Sequence, residues 1–311
     1  MMKIGTSMVI AHHGELVQGV FEDNMGIYRT GLVTVPYYQK CTKAIYGEKM
    51  EGGLVVSEDK ILSKKAVEVV YDYFKMSCGS GELNFNTEIP VGKGYGSSTA
   101  DICATIQAVS QALGKYLTYQ EIFKLCARVE GASDSTILPN MAMLFDHTRH
   151  EVLRIYSKNF PKMHIVGFDS DIAQSVLTEK LIRPKYSSEE KCIFKLMNNL
   201  LVKGFSDQSV ELLGRAATLS AEINQKYYPK KNFKELLEIS KDVGANGIQI
   251  SHSGTLIGLI FDDETWNKEL SSYCEKMIQR LYGVKAYNFQ LGGHYEYSDN
   301  CNRNGNNWNG V

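Results

Sequence analysis

The chain has no run approaching the roughly eighteen consecutive apolar residues of a bilayer-spanning helix, which excludes a helical membrane span. It has no charge imbalance either: 34 Lys and Arg against 35 Asp and Glu leave a formal net charge of −1. Without a global field there is nothing to draw in nucleic acid or an anionic lipid surface, so the expected partners are small molecules. The seven cysteines, Cys41, Cys78, Cys103, Cys126, Cys192, Cys274 and Cys301, form no Cys-x-x-Cys pair and are odd in number. That usage points to a reduced, cytoplasmic protein. The segment before His12 and His13 is too short in its apolar part for a signal peptide. Internal repeats and heptad runs are absent. So are the two common phosphate motifs: for a P-loop, Thr87 stands where the first Gly belongs and Gly94 follows Lys93, and for a dinucleotide fingerprint, Thr99 stands where the third Gly belongs.

What is present is enough for a large core: 311 residues, 43% of them hydrophobic, divide best into two domains. Strand patterns occupy Ser7 to Ala11, Gly31 to Val35, Gly53 to Ser57 and Glu82 to Ile89. A helix fits Ser63 to Met76. A second follows residue 96, with Ile102, Ile106, Val109 and Leu113 at helical spacing, and a third opens on the capping box Thr118-x-x-Glu121 and ends at Gly131. Met141 to Phe145 and Glu151 to Tyr156 read as paired strands around a polar turn, and Asn159 to Lys162 as the linker, with Pro161 interrupting any pairing. Beyond it come strands from Met163, Gly247, Thr255 and Ala286, and helices beginning near Ser187, Ser206, Asn232 and Thr265. This is an α+β pattern without strict βαβ alternation. The expected division is 1–158, 159–295 and a disordered polar tail, 296–311, rich in Asn and Gly. Gly292-Gly293-His294 is a weak candidate for a further close-approach loop.

The most informative stretch runs from Pro90 to Asp101, where glycines and hydroxyls stand immediately ahead of the long helix. Gly92, Gly94 and Gly96 permit a sharp turn in which consecutive N–H groups face a polyphosphate, and the helix N-terminus adds partial positive charge. Ser97, Ser98 and Thr99 fall on the first helical turn, placed to bind phosphate oxygens or to complete the shell of Mg²⁺. Lys93, inside the loop, is a candidate for neutralising phosphate charge, a solvated surface lysine being the alternative.

Pro90-x-x-x-Gly94-Tyr95-Gly96-Ser97-Ser98-Thr99-Ala100 resembles the second motif of the GHMP kinases, Pro-x-x-x-Gly-Leu-Gly-Ser-Ser-Ala. Gly14-Glu15-Leu16-Val17-Gln18-Gly19 resembles the first motif of one branch, the bacterial L-threonine kinases of cobalamin side-chain assembly. Ile250 to Leu259 resembles the branch's C-terminal glycine motif, and Ala216 to Ala221 one of its helices. The resemblance implies an α+β, two-domain GHMP kinase fold, with an N-terminal domain like ribosomal protein S5 domain 2 and a ferredoxin-like C-terminal domain. It implies ATP and Mg²⁺ as cofactors and a hydroxyl-bearing amino acid as acceptor, L-threonine before serine, homoserine or another amino alcohol. A kinase-shaped ligand sensor is the alternative from another class, and the assembly is expected to be a monomer or homodimer.

Carried onto this sequence, the resemblance makes Ser98 and Glu130 the metal-binding pair and Asp134 the group that takes the hydroxyl proton. For Asp134, a cap on the Ser135-Thr136 turn is the structural alternative. Nucleotide contacts are expected from Pro90, Gly92, Lys93, Gly94, Tyr95, Gly96, Ser97, Ser98 and Thr99. Glu15 and Gln18 would receive the acceptor's ammonium and Arg29 its carboxylate, with Ser253, Gly254 and Thr255 bringing backbone close; His252 is as readily a histidine satisfied within a turn. His12 and His13 are departures from the branch, as is Tyr95 for Leu. Two adjacent histidines on a strand face opposite ways, so at most one lines the site, and His13 is included as a substrate-binding candidate.

Overall fold

The computed structural model describes residues 3–23, 25–49, 51–175 and 184–293; the expected polar tail, with His294, lies outside the described residues. The described elements run in the order β1 (Ile4–Glu22), β2 (Tyr28–Lys49), β3 (Leu54–Val55), α1 (Ile61–Tyr73), β4 (Ser80–Thr87), α2 (Ser97–Ala112), α3 (Tyr119–Val129), β5 (Ala142–Asp146), β6 (Glu151–Ser157), β7 (Met163–Asp169), α4 (Ser188–Ser206), α5 (Val210–Asn224), α6 (Phe233–Asp242), β8 (Gly247–Ile250), β9 (Leu256–Asp262), α7 (Lys268–Tyr282) and β10 (Tyr287–Leu291). The strands join in one sheet of order β10-β7-β9-β8-β1-β2-β4-β3, with β5 on β2 and β6 on β5.

β1 and β2 are far longer than the alternation in their sequences indicates. Both are buried on both faces along most of their length, so apolar residues do not alternate with polar ones there. Their antiparallel register shifts at Ile10/Ala11, between His12 and Glu15, and again before Val17. At the middle shift Glu15 also pairs with Ile250, which is how β8 and the strands beyond it join the β1–β2 hairpin. A bulge bends a strand and re-aims its side chains, and here it falls where the two halves of the sheet meet.

Other boundaries moved. The expected strand 53–57 contracts to Leu54–Val55. The helix expected near Ser206 opens instead at Val210, because α4 continues through Ser206 and Ser209 is the residue whose side chain accepts from Leu212 N–H. Asn267, rather than Thr265, caps α7. The capping box at Thr118 and Glu121 forms as expected. Gly292 does make a close approach, since a side chain there would strike the Pro161 carbonyl.

α2 carries the site and is buried nearly all round, between the sheet and α1 and α3. Its small residues make this possible: a Cβ on Gly5 of β1 would lie 1.9 Å from the Ala108 carbonyl oxygen. Asp101, in its second turn, fixes the helix's rotation. Its carboxylate accepts from Thr42 Oγ1 at 2.7 Å and from Lys60 Nζ at 2.6 Å, linking α2 to β2 and to the residue before α1. Removing one partner of a mostly buried ion pair strands the other, so Asp101→Ala should destabilise the fold by about 3 kcal/mol in urea unfolding. A loss below about 0.5 kcal/mol, the scale of an exposed pair, would show that Asp101 fixes nothing.

Candidate active site

The loop before α2 turns through three left-handed glycines, with φ of 74° at Gly92, 97° at Gly94 and 71° at Gly96. Gly96 is the N-cap of α2 and supplies no side-chain cap, so the first N–H groups of the helix are left for an external acceptor. The turn between β8 and β9, residues 251–255, closes over this loop from the other side. Thr255 N–H donates to the Lys93 carbonyl at 2.9 Å, and a Cβ on Gly254 would lie 2.2 Å from that same oxygen. Ser251 Oγ fills the space that a Gly94 side chain would need, 2.0 Å from the position of its Cβ. The glycine loop and the C-terminal glycine motif therefore form one structure.

Along the first turn of α2, Ser98 Oγ donates to one Glu130 oxygen and Thr99 Oγ1 to the other, each at 2.9 Å. Glu130 is the C-cap of α3, so two helix ends meet at this carboxylate. Ser98 is exposed and Glu130 half-buried, an accessible set of hard oxygen donors of the kind Mg²⁺ prefers. Asp134 follows, its N–H on Thr99 Oγ1 at 3.4 Å and its Oδ2 on His12 Nε2 at 2.9 Å. Asp134 does not cap the Ser135-Thr136 turn through any described hydrogen bond. It faces β1.

The histidine that reaches this site is His12. Its ring lies where a Gly96 side chain would be, 2.4 Å from that Cβ position, and the backbone N–H of His12 donates to the Tyr95 carbonyl. His13, expected to contact substrate, points the other way into a buried aromatic cluster. There Nε2 meets Tyr287 Oη at 2.9 Å, Gln249 Nε2 donates to Nδ1, and Tyr37, Tyr95 and Phe289 surround the ring. Tyr95 belongs to the same cluster. Its side chain is buried and its hydroxyl sits 2.6 Å from that of Tyr287, so the side chain anchors the loop.

Two expected cations are engaged elsewhere. Arg29 Nε donates to Asp23 near the tip of the β1–β2 hairpin, well along the register from the Glu15–Thr34 pair. Lys93 Nζ turns from the cradle to the carbonyls of Asp171, Ile172 and Gln174, with Asp169 Oδ2 at 3.2 Å. One further residue, Ser220, joins the substrate-binding candidates Glu15 and His252. Glu15 Oε2 accepts from both N–H and Nδ1 of His252 at 3.0 Å, and His252 Nε2 faces Ser220 Oγ at 3.3 Å. The order carboxylate, imidazole, hydroxyl resembles an activated serine, but Ser220 is fully buried and its Oγ is committed to both backbone groups of Gln18. It is a strut between α5 and β1. The side chain of Gln18 is half-exposed and makes no hydrogen bond among the described residues; Ser253 is half-exposed at the tip of the 251–255 turn. Three buried polar atoms here, His12 Nδ1, Ser251 Oγ and Thr255 Oγ1, lack a hydrogen-bond partner among the described residues. Unpaired groups of this kind are costly and mark a place for a polar ligand.

Residues 62–138 match the GHMP kinases N terminal domain. An L-threonine kinase of Salmonella typhimurium is 30% identical over 208 residues, 66% of this chain and 68% of its own length. The chain belongs to the GHMP kinase family. An L-threonine kinase of Citrobacter freundii is 27% identical over 255 residues, 80% of this chain and 83% of its own. The crystal structure of homoserine kinase from Cytophaga hutchinsonii superposes with a TM-score of 0.68 at 14% identity, covering 93% and 95% of the two chains, which shows a shared fold. As a GHMP kinase the protein has the α+β two-domain architecture of that family and is an ATP-dependent small-molecule kinase. No helix among the described residues is long and apolar enough to cross a membrane.

A cavity of about 820 Å³ lies elsewhere in this GHMP kinase, lined by residues such as Phe160, Lys162, Val210 and Asp263 and by none of the groups above. Electrostatics instead concentrate at the bulge. Burial alone would lower the pKa of His12, but the Asp134 charge and hydrogen bond outweigh it and raise the value above 6.5. Burial acts to raise Asp134, and His12 more than reverses this, holding it below 3.8. His13 has no such partner; burial, then the charge of His12, push it down to about 3. His12 stabilises the fold fully below its unfolded value and loses that contribution as pH rises through its raised folded value. Asp134 contributes above its unfolded value and loses it as pH falls through its lowered one. Replacing His12 by Gln should therefore cost most stability near pH 5, and the gap from wild type in urea midpoint should narrow by about pH 9. A gap independent of pH would mean that the pair is not ionic.

Proposed function

We propose that the protein transfers the γ-phosphoryl group of ATP to the side-chain hydroxyl of a small amino acid, with L-threonine the foremost acceptor and O-phospho-L-threonine the product. The convergence of Ser98, Glu130, Asp134 and His12 on the N-terminus of α2 carries the reading. The similarity to L-threonine kinases points to the acceptor, and the fold shared with a homoserine kinase keeps homoserine and serine as rivals. Within the same reading, residues 1–158 form the nucleotide-binding lobe and 159–295 the second lobe, the protein is cytoplasmic, and it supplies cobalamin side-chain assembly.

In-line phosphoryl transfer needs little covalent help from a protein; it needs positioning and charge neutralisation. The free N–H groups of α2, with Gly92 to Gly96 and Ser97, hold the triphosphate. Ser98 and Glu130 would hold Mg²⁺, whose charge would offset that building on the phosphate oxygens. Asp134, ionised by its contact with His12, accepts the proton of the acceptor hydroxyl. An Asp with a pKa held low is a weak base, so its contribution is orientation in the ground state and proton acceptance late in transfer. Glu15 lies beside this pair, with one ligand atom each from His12, Glu15 and Asp134 within 4.8 Å of one another. A sensor that only binds would not require a carboxylate base next to a metal-binding pair.

Screening hydroxy amino acids for ATP turnover tests the acceptor, and turnover of homoserine well above L-threonine would reassign it. Asp134→Asn should lower kcat about 10²- to 10⁴-fold while KM for ATP stays within about threefold. Unchanged kcat would remove the base. Ser98→Ala and Glu130→Gln should each raise the Mg²⁺ concentration needed for half-maximal rate, and chelation should abolish the wild-type rate. A wild-type rate insensitive to chelation would contradict both roles.

A further inference from the structure

Lys230 stands in the connection between α5 and α6, and no step above uses it. Its Nζ donates to the carbonyls of Gly254 at 2.5 Å and His252 at 3.4 Å, on the turn that closes over the cradle. It has no carboxylate within ion-pair distance among the described residues. A largely buried ammonium without a counter-ion is costly, and burial lowers its pKa to about 8, with the more distant charge of Glu15 opposing the fall. Glu15 itself is half used: Oε2 takes both donors of His252, and Oε1 has no hydrogen bond among the described residues. The turn thus holds a cation at the carbonyls of His252 and Gly254 and, at the N–H of His252, a carboxylate with one unengaged oxygen, the charge pattern of a zwitterion in reverse.

We propose that Lys230 anchors the carboxylate of the acceptor amino acid while Glu15 receives its ammonium. The assignment rests on the amino-acid kinase reading and narrows it to acceptors with a free carboxylate. Arg29 and Lys93, the cations that sequence suggested for anionic groups, are held by Asp23 and by the 169–174 segment. An oxyanion at Lys230 has two possible sources, the acceptor's carboxylate and the γ-phosphate. Position favours the carboxylate, because Lys230 and Glu15 both bond residue 252 of the β8–β9 turn, whereas Ser98 and Glu130 bond each other at the first turn of α2.

Steady-state kinetics with the full chain would compare L-threonine with the amino diol in which its carboxylate is reduced to an alcohol. Wild type should prefer the amino acid. Lys230→Met should raise KM for the amino acid at least about thirtyfold, leave the amino diol within about twofold and leave KM for ATP within about twofold, while Lys230→Arg retains most of the preference. Equal losses on both acceptors would reduce Lys230 to a support for the turn, and a rise confined to KM for ATP would assign it to phosphate. Wild type treating the two acceptors alike would overturn the proposal whether or not the Met variant folds, and leave the kinase reading standing. Turnover of no hydroxy amino acid at all would overturn both.

Discussion

The site depends on close backbone approaches at glycines, where no side chain of their own could fit. A Cβ on Gly14 would lie 2.6 Å from Ser251 N, one on Gly94 2.0 Å from Ser251 Oγ, and one on Gly254 2.2 Å from the Lys93 carbonyl. These contacts run in series from the bulge of β1, through the β8–β9 turn, to the loop that opens α2. Close-packed interiors do not absorb displacements of that size, so an added methyl anywhere in the series would move the cradle away from β1. Gly14 and Gly94 also hold positive φ, which a larger residue resists independently of space. Two constraints of different origin thus fall on the same few residues, and these residues join the first half of the chain to the second.

With backbone this close, the ionisable groups are forced into one small volume, and neighbours decide each one's charge. Three histidines stand within it and do not behave alike. His12 touches Asp134 and is pushed toward the charged form. His252 touches Glu15 through a hydrogen bond of similar length, yet burial, and then the nearby charge of Lys230, leave its pKa lowered. His13 meets only neutral polar groups and aromatic rings and stays neutral. The difference between His12 and His252 is that Glu15 is shared with Lys230 whereas Asp134 faces no lysine or arginine among its described neighbours. Positive charge therefore gathers at two points of this volume, His12 and Lys230, each under the influence of a carboxylate.

How much of this was legible varied with the range of the contact. The glycine loop ahead of a helix was readable as a local pattern, whereas Glu130 and Asp134 entered only through the resemblance to the family, and the structure brings both to the first turn of α2. The fold class was readable from element order. The lengths of β1 and β2 were not, since strands buried on both faces carry no alternation. Arg29 and Lys93 failed for the same reason as each other: a cation's address depends on which acceptor reaches it first, and Asp23 and the 169–174 carbonyls are close. Lys230 left no trace in the sequence, because its meaning comes from the carbonyls of residues 252 and 254 across a turn.

The two histidines at the bulge show where alternation as a rule reaches its limit. Opposite faces were the correct expectation for residues 12 and 13, and only one does line the site, but alternation cannot say which. The register shift between His12 and Glu15 settles it by turning His12 toward Asp134 and His13 toward Tyr95. His13 and Tyr95 both depart from the family pattern, and they meet in a single buried cluster with Tyr37, Tyr287 and Phe289. A hydroxyl in place of Leu at position 95 needs a partner once buried, and Tyr287, itself bonded to His13, provides it. These two departures answer each other in the packing. On the proposed reading, discrimination of the acceptor falls to His12, Glu15 and Gln18 of β1 and to Lys230 of the α5–α6 connection.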